Sequence, residues 1–533
     1  MQFSTLDFTV FISYLLVMIG VGIFISLRSK NTNSTEYFMA GKVLPWWAIG
    51  GSLIASNISA EQFIGMSGSG FKIGLAIASY ELMAAVTLII VAWLIIPIFL
   101  KKGIYTMPQF VEMRYNKQVR TGLAILWLFL FTFVNITLVL YLGALTMQAI
   151  LGIPLILGVL GLAFYAASFS IFGGLRTVVL TDIIQVVVLI AGGLLTTYLA
   201  LDALSLGNGF LKGFAKLYEL APEKFNMILA KGEVLYTKDD GGLKDAWEDL
   251  PGLTVLIGGL WIANLYYWGM NQYIIQRALA AKNIFEARKG IAFAAFIKIL
   301  LPIIVVIPGI VAYAMEAPVD KGDKVYAWVL SEFVPLGLKG ICFAAVVAAV
   351  GSSLSSMVNS VSTIFTLDIY QVFIKKNATE KQLVKVGKIV AACALLIGLL
   401  IAPLFEQLDQ AFQFIQKYTG YFSPGILVVF LMGLFWKKAS ARAALWVVVL
   451  SFPLSLLLDV LFPESVLPFL NKMGVSFIVL SLIMIVISLF SNKNKEDEKA
   501  IQTEKAWFKT SYAFKLTALV VFASVGVIYG LFW

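Results

Sequence analysis

The sequence predicts an all-α polytopic membrane protein, with a core of two inverted five-helix repeats within about 14 transmembrane helices. Hydrophobic residues make up 60% of the 533 residues and charged residues 13%, and the mean hydropathy is +0.91. A soluble chain of this length could not carry that composition on its surface. Two of the apolar segments carry polar residues in their middle and lie five spans apart, which indicates an inverted repeat.

The fourteen predicted spans have soft boundaries and alternate with short loops. They cover residues 6–27, 45–70, 76–100, 121–149, 153–173, 178–201, 252–275, 290–315, 334–371, 386–405, 408–435, 441–461, 470–490 and 512–531. Lysines and arginines concentrate in the odd-numbered loops, so the positive-inside rule places these loops in the cytoplasm and both termini outside. The loop 202–251 carries both lysines and acids; because long loops cross regardless of charge, it is expected to form an external cap.

The composition disfavours several classes of function. The net charge of +10 lies in short loops, where topology explains it, and does not indicate nucleic-acid binding. The chain has no histidine, which excludes a histidine metal site or proton relay. Cys342 and Cys393 lie in apolar segments, so no disulfide framework is expected. The sequence lacks a Walker-type glycine loop and a nucleophile with a nearby base, so neither ATP nor an enzymatic reaction is expected.

The first span follows no basic region and precedes no small-residue cleavage site, so it is expected to remain as a helix.

The first polar interruption lies in the segment Leu53–Ser69. It contains Ser56, Asn57, Ser59, Glu61 and Gln62. Lipid cannot satisfy such groups, so they must line a protein interior or a watery cavity. Short polar side chains also compete for the backbone, which predicts a helix broken near residues 55–58. The alternative is a kinked helix held to its neighbours by Ser and Asn.

The second interruption, Trp261–Tyr273, places Asn264, Asn271 and Gln272 among aromatic residues in mid-membrane. Because five is an odd number of spans, the two interrupted segments must insert in opposite orientations. Such pairs indicate a transporter with its site near the bilayer midplane.

Five ionisable residues fall within or at the ends of spans, and each is expected to face the interior and have a partner. They are Glu61, Glu81, Asp182, Lys298 and Asp368. Glu81 and Lys298, with the amides of Gln62, Asn264 and Gln416, offer donors and acceptors that suit a neutral polyol. Aromatic and sulfur side chains could stack on the apolar face of a sugar; ordinary helix packing is the better explanation of any single one, but not of the whole set. They are Met66, Tyr80, Tyr266, Tyr267, Trp268 and Phe412.

The segment Gly351–Met357, GSSLSSM, indicates a cation site. Ser352, Ser355 and Ser356 share one helix face, and Ser353 points to the side. Hydroxyls and main-chain carbonyls are neutral oxygen ligands, which suit a monovalent ion such as Na⁺ better than Ca²⁺ or Mg²⁺. Small residues at a tight helix contact are the alternative.

Five longer segments resemble the sodium/solute symporter family along almost the whole chain. They are ASNISAEQFIGMSGSG (55–70), IFGGLRTVVLTDIIQV (171–186), GGLWIANLYYWGMNQYIIQR (258–277), SSLSSMVNSVSTIFTLDIY (352–370) and FQFIQKYTGYFSPGILVVFLMGLFWKK (412–438). The resemblance implies a LeuT-like core in spans two to eleven. The expected divisions are an extra helix and loop (1–44), a first repeat (45–201), an external loop (202–251), a second repeat (252–437) and three further helices (438–533).

The resemblance also implies roles for individual residues. The sugar site would be formed by Gln62, Glu81, Asn264, Lys298 and Gln416. Tyr267 would be the inner gate, with Met66, Tyr80 and Phe412 as outer cover. Sodium would be held by the carbonyls of Ala55, Ile58 and Ala349 and the hydroxyls of Ser352 and Ser353. Asp182 matches an aspartate near the inward path of the ion.

Two positions depart from the family's galactose-transporting pattern. Ala84 stands where that pattern has a serine, which leaves the hexose open. Ser355 replaces an alanine, and with Asp182, Ser352 and Ser356 it suggests a second Na⁺ site.

The resemblance therefore predicts Na⁺-coupled import of a hexose, galactose or glucose, by alternating access in a bacterial inner membrane. Myo-inositol, an amino acid or a carboxylate are alternative solutes, and Glu81 argues against the anions. A channel is disfavoured because the amides are scattered rather than repeated in rings. A sensor is disfavoured because the chain ends within a few residues of the last span.

Overall fold

The computed structural model describes residues 3–28, 33–59, 61–238, 241–405, 411–491 and 495–533, and these are mostly helical. The first twelve α-helices are α1 Thr5–Arg28, α2 Ser34–Met39, α3 Trp46–Asn57, α4 Ser67–Lys72, α5 Ser79–Ile90, α6 Ile96–Lys101, α7 Met107–Arg114, α8 Lys117–Phe129, α9 Ile136–Leu151, α10 Leu155–Leu204, α11 Phe210–Leu220 and α12 Leu253–Ile257. The remaining twelve are α13 Gly259–Gly269, α14 Gln272–Leu279, α15 Ile284–Val305, α16 Ile307–Ala314, α17 Val325–Phe333, α18 Lys339–Ile364, α19 Glu380–Ile401, α20 Ala411–Gly420, α21 Ser423–Phe435, α22 Ala441–Leu461, α23 Phe469–Ser491 and α24 Tyr512–Leu531.

Within the described residues, ten helical segments are long and apolar enough to cross a membrane, and two bent pairs raise the number to twelve. The predicted number of about 14 is therefore not confirmed. The predicted span 45–70 is divided between two short pieces, and the predicted span 153–173 corresponds to a 17-residue apolar helix, Leu155–Ile171. The latter continues into the next span as α10, which bends at Gly174, where φ is 62°.

The first interrupted segment is broken as predicted, at the end of the expected range 55–58. Helix α3 continues to Asn57, and Ile58 adopts an extended backbone. A π-helical turn, Glu61–Met66, then leads into α4. Residues 55–57 remain helical because the Ser56 hydroxyl donates to the Ser52 carbonyl (2.6 Å), one turn back, and so does not compete with the helix.

The second interrupted segment breaks between α13 and α14, at residues 270–271, inside the predicted Trp261–Tyr273. Two further bends were not predicted. The chain turns by 77° between Ala246–Ile257 and Gly259–Gly269, and by 51° between Phe412–Gly420 and α21. Gly258 lies at the first bend and the two-residue connection 421–422 at the second, and each lets the helix axes point in different directions.

The core is centred on α18. In its most apolar stretch 94% of the residues are buried, whereas in the corresponding stretches of α1 and α24 only 17% of the residues are buried. Helix α3 crosses α15 closely because glycines face each other. A Cβ atom on Gly50 would lie 2.7 Å from the Gly290 carbonyl oxygen. Small residues therefore let the helix that carries the first break reach the centre of the molecule.

The loop 202–251 contains α11 and a small hairpin of β1 Leu235–Thr237 and β2 Leu243–Asp245, an exception to the all-α prediction. The ion pair of Lys244 with Glu464 (3.5 Å) joins it to the rest of the protein. Lys244 also pairs with Asp249 inside the loop (2.7 Å), and Glu464 also pairs with Lys417 on α20 (2.7 Å). Burial opposes ionisation of Glu464, but the hydrogen bond from Lys417 and the charge of Lys244 outweigh it and hold the pKa of Glu464 below its ordinary 4.5.

Candidate substrate and cation sites

A central cavity of about 60 Å³ lies between the first break, α5, α13, α15 and α20. It is lined by all five residues predicted to bind sugar, Gln62, Glu81, Asn264, Lys298 and Gln416. Their roles stay predictions, but the structure brings them together. A water molecule needs about 10–15 Å³ of cavity volume measured in this way, so the cavity has room for about four waters. A pyranose ring is larger, so the walls must separate to admit one.

Two of the amides that line the cavity are already oriented by hydrogen bonds within the protein. Gln62 Oε1 accepts hydrogen bonds from the Ser59 N–H (3.0 Å) and hydroxyl (2.9 Å), so its NH₂ is the group that it can offer to a ligand. Asn264 Nδ2 donates to the Leu260 carbonyl (3.1 Å), so its Oδ1 can accept. One donor and one acceptor are thereby fixed in the lining of the cavity.

Glu81 and Lys298 form a buried ion pair, as expected of ionisable residues inside spans. Lys298 Nζ also donates to Asn57 Oδ1 and lies 5.0 Å from the centroid of the Trp268 ring. The pair presents donor and acceptor together with no net charge. This favours a neutral hydroxylated solute over an anion.

Aromatic residues close the cavity on two sides. Tyr80 and Phe412 meet edge to face with centroids 5.3 Å apart. The Tyr267 hydroxyl accepts from Asn57 Nδ2 (3.0 Å) and from the Tyr273 hydroxyl (2.6 Å). Tyr80, Phe412 and Tyr267 all line the cavity, and their roles as gates stay predictions.

Some placements differ from the sequence analysis. Met66 is buried but does not line the cavity, whereas Thr419, Ser423 and Met473 do. The α20–α21 bend brings in the first two, and Met473 comes from α23, outside the predicted repeats. No local pattern in the sequence pointed to a contact over such a separation.

The predicted sodium residues converge on the end of α3. Ala55, Ile58, Ala349, Ser352 and Ser353 are all fully buried. The Ser353 hydroxyl donates to the Ser56 carbonyl (3.0 Å), which joins α18 to the last turn of α3.

The break exposes main-chain oxygens at this point. The Ser59 N–H, which a continuing helix would direct at the Ala55 carbonyl, donates to Gln62 instead. The described part of the chain contains no group of three His, Cys, Asp or Glu side chains that could hold a metal ion. Neutral oxygens at a helix end suit a monovalent cation.

Asp182, on α10, lies at the centre of a second buried network. Its carboxylate accepts from Ser352 (2.5 Å) and Ser52 (2.5 Å), and at longer range from Ser56 (3.3 Å). Ser355, also proposed for a second cation site, instead donates to the Ser352 carbonyl (2.8 Å).

The cation beside Asp182 is Arg277, which lies just beyond the predicted span 252–275 and was therefore expected in a cytoplasmic loop. Its Nη2 lies 3.7 Å from Asp182 Oδ2, and both side chains are fully buried. Its Nε donates to the Ser52 hydroxyl (2.9 Å) and its Nη2 to the Ser356 hydroxyl. A basic residue just beyond an apolar span is typical of a loop. Here, however, the short helix α14 follows the second break and directs Arg277 into the interior.

The other ionisable residues behave as expected where they are described. Asp368 accepts from Arg120 Nη2 (2.7 Å) and from the Thr106 hydroxyl (3.1 Å). The side chain of Glu61 lies outside the described part of the structure.

Comparisons with known proteins show which family this chain is similar to. The family model described as the sodium:solute symporter family matches residues 37–450. A sodium/glucose cotransporter of Vibrio parahaemolyticus is 49% identical, over 99% of this chain and 98% of its own. The human sodium/myo-inositol cotransporter 2 is 33% identical, over 83% of this chain and 67% of its own.

Two solved structures share the architecture. The substrate-bound outward-open structure of a Na⁺-coupled sialic acid symporter aligns over 92% of this chain and 98% of its own, with a TM-score of 0.77 and 21% identity. A nucleobase-cation-symport-1 family transporter aligns over 88% of this chain and 98% of its own, with a TM-score of 0.52 and 15% identity. The predicted LeuT-like fold is thereby confirmed.

Proposed function

This chain belongs to the sodium:solute symporter family, and from that premise we propose that it imports a hexose, galactose or glucose, together with Na⁺. It is an integral membrane transporter rather than an enzyme, and Na⁺ is its coupling ion. We place it in a bacterial inner membrane with both termini outside, as the loop charges and the bacterial relative support. The proposed repeats are residues 45–201 and 252–437.

The observation that carries the substrate proposal is the central cavity. Its buried Glu81–Lys298 pair offers donor and acceptor together, and Gln62 and Asn264 add one of each. Sugar hydroxyls both donate and accept, so they can replace the contacts that these groups make with one another. Tyr267 can stack on the apolar face of the ring.

Sodium is proposed to bind at the end of α3, with the carbonyls of Ala55, Ile58 and Ala349 and the hydroxyls of Ser352 and Ser353. An ion there would hold α3 against α18 and stabilise the sugar-competent state. Coupling requires that the ion bind this state better than the other, because only a difference in affinity shifts the population. A potential of 100 mV contributes ~2.3 kcal/mol per charge.

One sodium ion per sugar is the stoichiometry that we propose. Arg277 already supplies a positive charge to Asp182 and contacts Ser52 and Ser356. A second Na⁺ at Asp182 would have to displace that guanidinium.

Myo-inositol is the second candidate substrate. Ala84 lines the cavity and provides no hydroxyl contact where the galactose pattern has a serine, and a curated relative is described as a myo-inositol cotransporter. A cyclic polyol would meet the same donors and acceptors.

The testing experiment is uptake into proteoliposomes that contain the purified protein. Labelled galactose, glucose and myo-inositol are compared under an inward sodium gradient, with potassium replacing sodium as control. We expect sodium-dependent accumulation of a hexose that collapses when the gradient is dissipated. Preference for myo-inositol would select the second candidate, and uptake that ignores sodium would refute the symport proposal.

A further inference from the structure

A groove of about 770 Å³ runs along the outer face of the protein between α15 and α24. Apart from Trp46, Lys509 and Ser511, its lining residues come from the N-terminal part of each helix. Arg288 near the start of α15 donates to the carbonyl of Lys509 just before α24, so both helices begin at the same end of the groove. Its walls are mainly apolar or small. They include Phe293, Phe296, Ala292, Ala513, Leu516 and Val520.

The end of the groove near the two helix starts is cationic. Lys289, Lys509 and Arg288 line it, and its described lining residues include no aspartate or glutamate. Lys289 Nζ lies 4.1 Å from the centroid of the Trp46 ring. Glu286, in the first turn of α15, is engaged with the Trp46 N–H (2.6 Å).

Arg288 fixes the position of this cationic end. Its guanidinium donates to the carbonyls of Lys509 (2.7 Å), Trp507 (2.7 Å) and Ala92 (3.1 Å). The segment that leads into α24 is thereby tied to α15 and to the end of the third span. The groove is a built feature rather than a gap beside a loosely attached helix.

The apolar walls lie beyond the cationic end. From Lys289 to Phe296 the wall on α15 extends about 10 Å at 1.5 Å per residue. Half of the bilayer hydrocarbon core is about 15 Å. With its headgroup at Lys289 and Lys509, a lipid would therefore lay the first two thirds of an acyl chain along the groove.

We propose that the groove is a binding site for one anionic phospholipid, with its phosphate at the lysines and a chain along the apolar walls. Basic pockets between membrane helices bind anionic headgroups in this way. A zwitterionic headgroup carries a positive charge of its own, which the three basic side chains at this end of the groove would repel. The site is distinct from the transport cavity and does not rest on the proposed substrate.

Native mass spectrometry of the full chain tests this proposal. The detergent-solubilised protein is equilibrated with equal amounts of phosphatidylglycerol and phosphatidylcholine. We expect wild type to retain one phosphatidylglycerol at least tenfold more than phosphatidylcholine, and Lys289→Gln/Lys509→Gln to lose that preference. The control Lys375→Gln/Lys376→Gln removes the same charge from two exposed lysines of another loop and is expected to behave as wild type.

A second variant separates the contribution of the lipid's acyl chain from that of the headgroup charge. Thr517→Trp fills the apolar part of the groove and is expected to reduce retention of phosphatidylglycerol while all lysines remain. Equal retention of the two lipids by wild type would overturn the proposal. So would an equal loss of phosphatidylglycerol in the two lysine variants, because net charge alone would then explain the binding.

Discussion

Replacing Arg277 by glutamine tests whether its guanidinium stands in for a second sodium ion. Both Arg277 and Asp182 are fully buried, with 3.7 Å between Nη2 and Oδ2. Removing one partner of a buried pair costs about 3–5 kcal/mol, because the remaining charge is uncompensated. A sodium ion at Asp182 would recover part of that loss, about 2.7 kcal/mol at a concentration one hundred times its Kd.

The assay is the sodium dependence of sugar uptake together with that of the unfolding temperature. Wild type is expected to show a Hill coefficient of one. The Arg277→Gln variant should be less stable at low sodium, gain stability steeply as sodium rises, and approach a Hill coefficient of two. Arg442→Gln, at an exposed arginine, is the control and should change neither measurement.

The double variant Arg277→Gln/Asp182→Asn makes the prediction sharper. It removes both charges, so stability should return toward wild type and the Hill coefficient to one. A single Arg277→Gln variant that keeps a Hill coefficient of one and gains no stability from sodium or from Asp182→Asn would refute the reasoning.

Four further predictions concern other parts of the protein. Ser353→Ala should raise half-saturating sodium roughly tenfold, ~1.4 kcal/mol, with sugar binding retained at high sodium. Lys298→Ala should abolish sugar binding but not sodium binding, both measured by calorimetry. Gly65→Ala should reduce sugar uptake, since its Cβ would lie 2.6 Å from the Cβ of Phe412, which lines the cavity, whereas Gly20→Ala has open space. Glu464 has a lowered pKa, so its stabilising contribution is present above pH 4.5 and lost as pH falls below it; Glu464→Gln should remove that acid-dependent loss from the melting curve.

The sequence was most informative where a polar or charged residue lies in an apolar segment. Glu81 and Lys298 in apolar spans had to find partners, and they found each other. The polar run after Ile54 predicted a break for the same reason, because hydrocarbon satisfies neither hydroxyls nor free backbone. These inferences depend only on the cost of an unsatisfied polar group, which is the same in any fold.

Contacts decided by long-range packing could not be predicted in this way. Arg277 and Arg442 follow the same local pattern, a basic residue near the end of an apolar segment, yet one is fully buried and the other is exposed. The difference arises from the second break, which directs α14 toward α3 and α18. Met473 likewise reaches the cavity only because α23 packs beside the α20–α21 bend.

The two candidate sites are joined by a single short segment, and this suggests how ion and sugar are coupled. The carbonyls of Ala55 and Ile58 lie just before the break, and Ser59 lies just after it. Ser59 holds the Gln62 side chain through both its N–H and its hydroxyl. An ion that fixes the carbonyl of Ile58 also fixes the peptide plane whose N–H belongs to Ser59, because the two groups share one rigid peptide unit. Sodium binding would therefore orient the Gln62 amide toward the cavity, and by reciprocity a sugar that holds Gln62 would strengthen the sodium site.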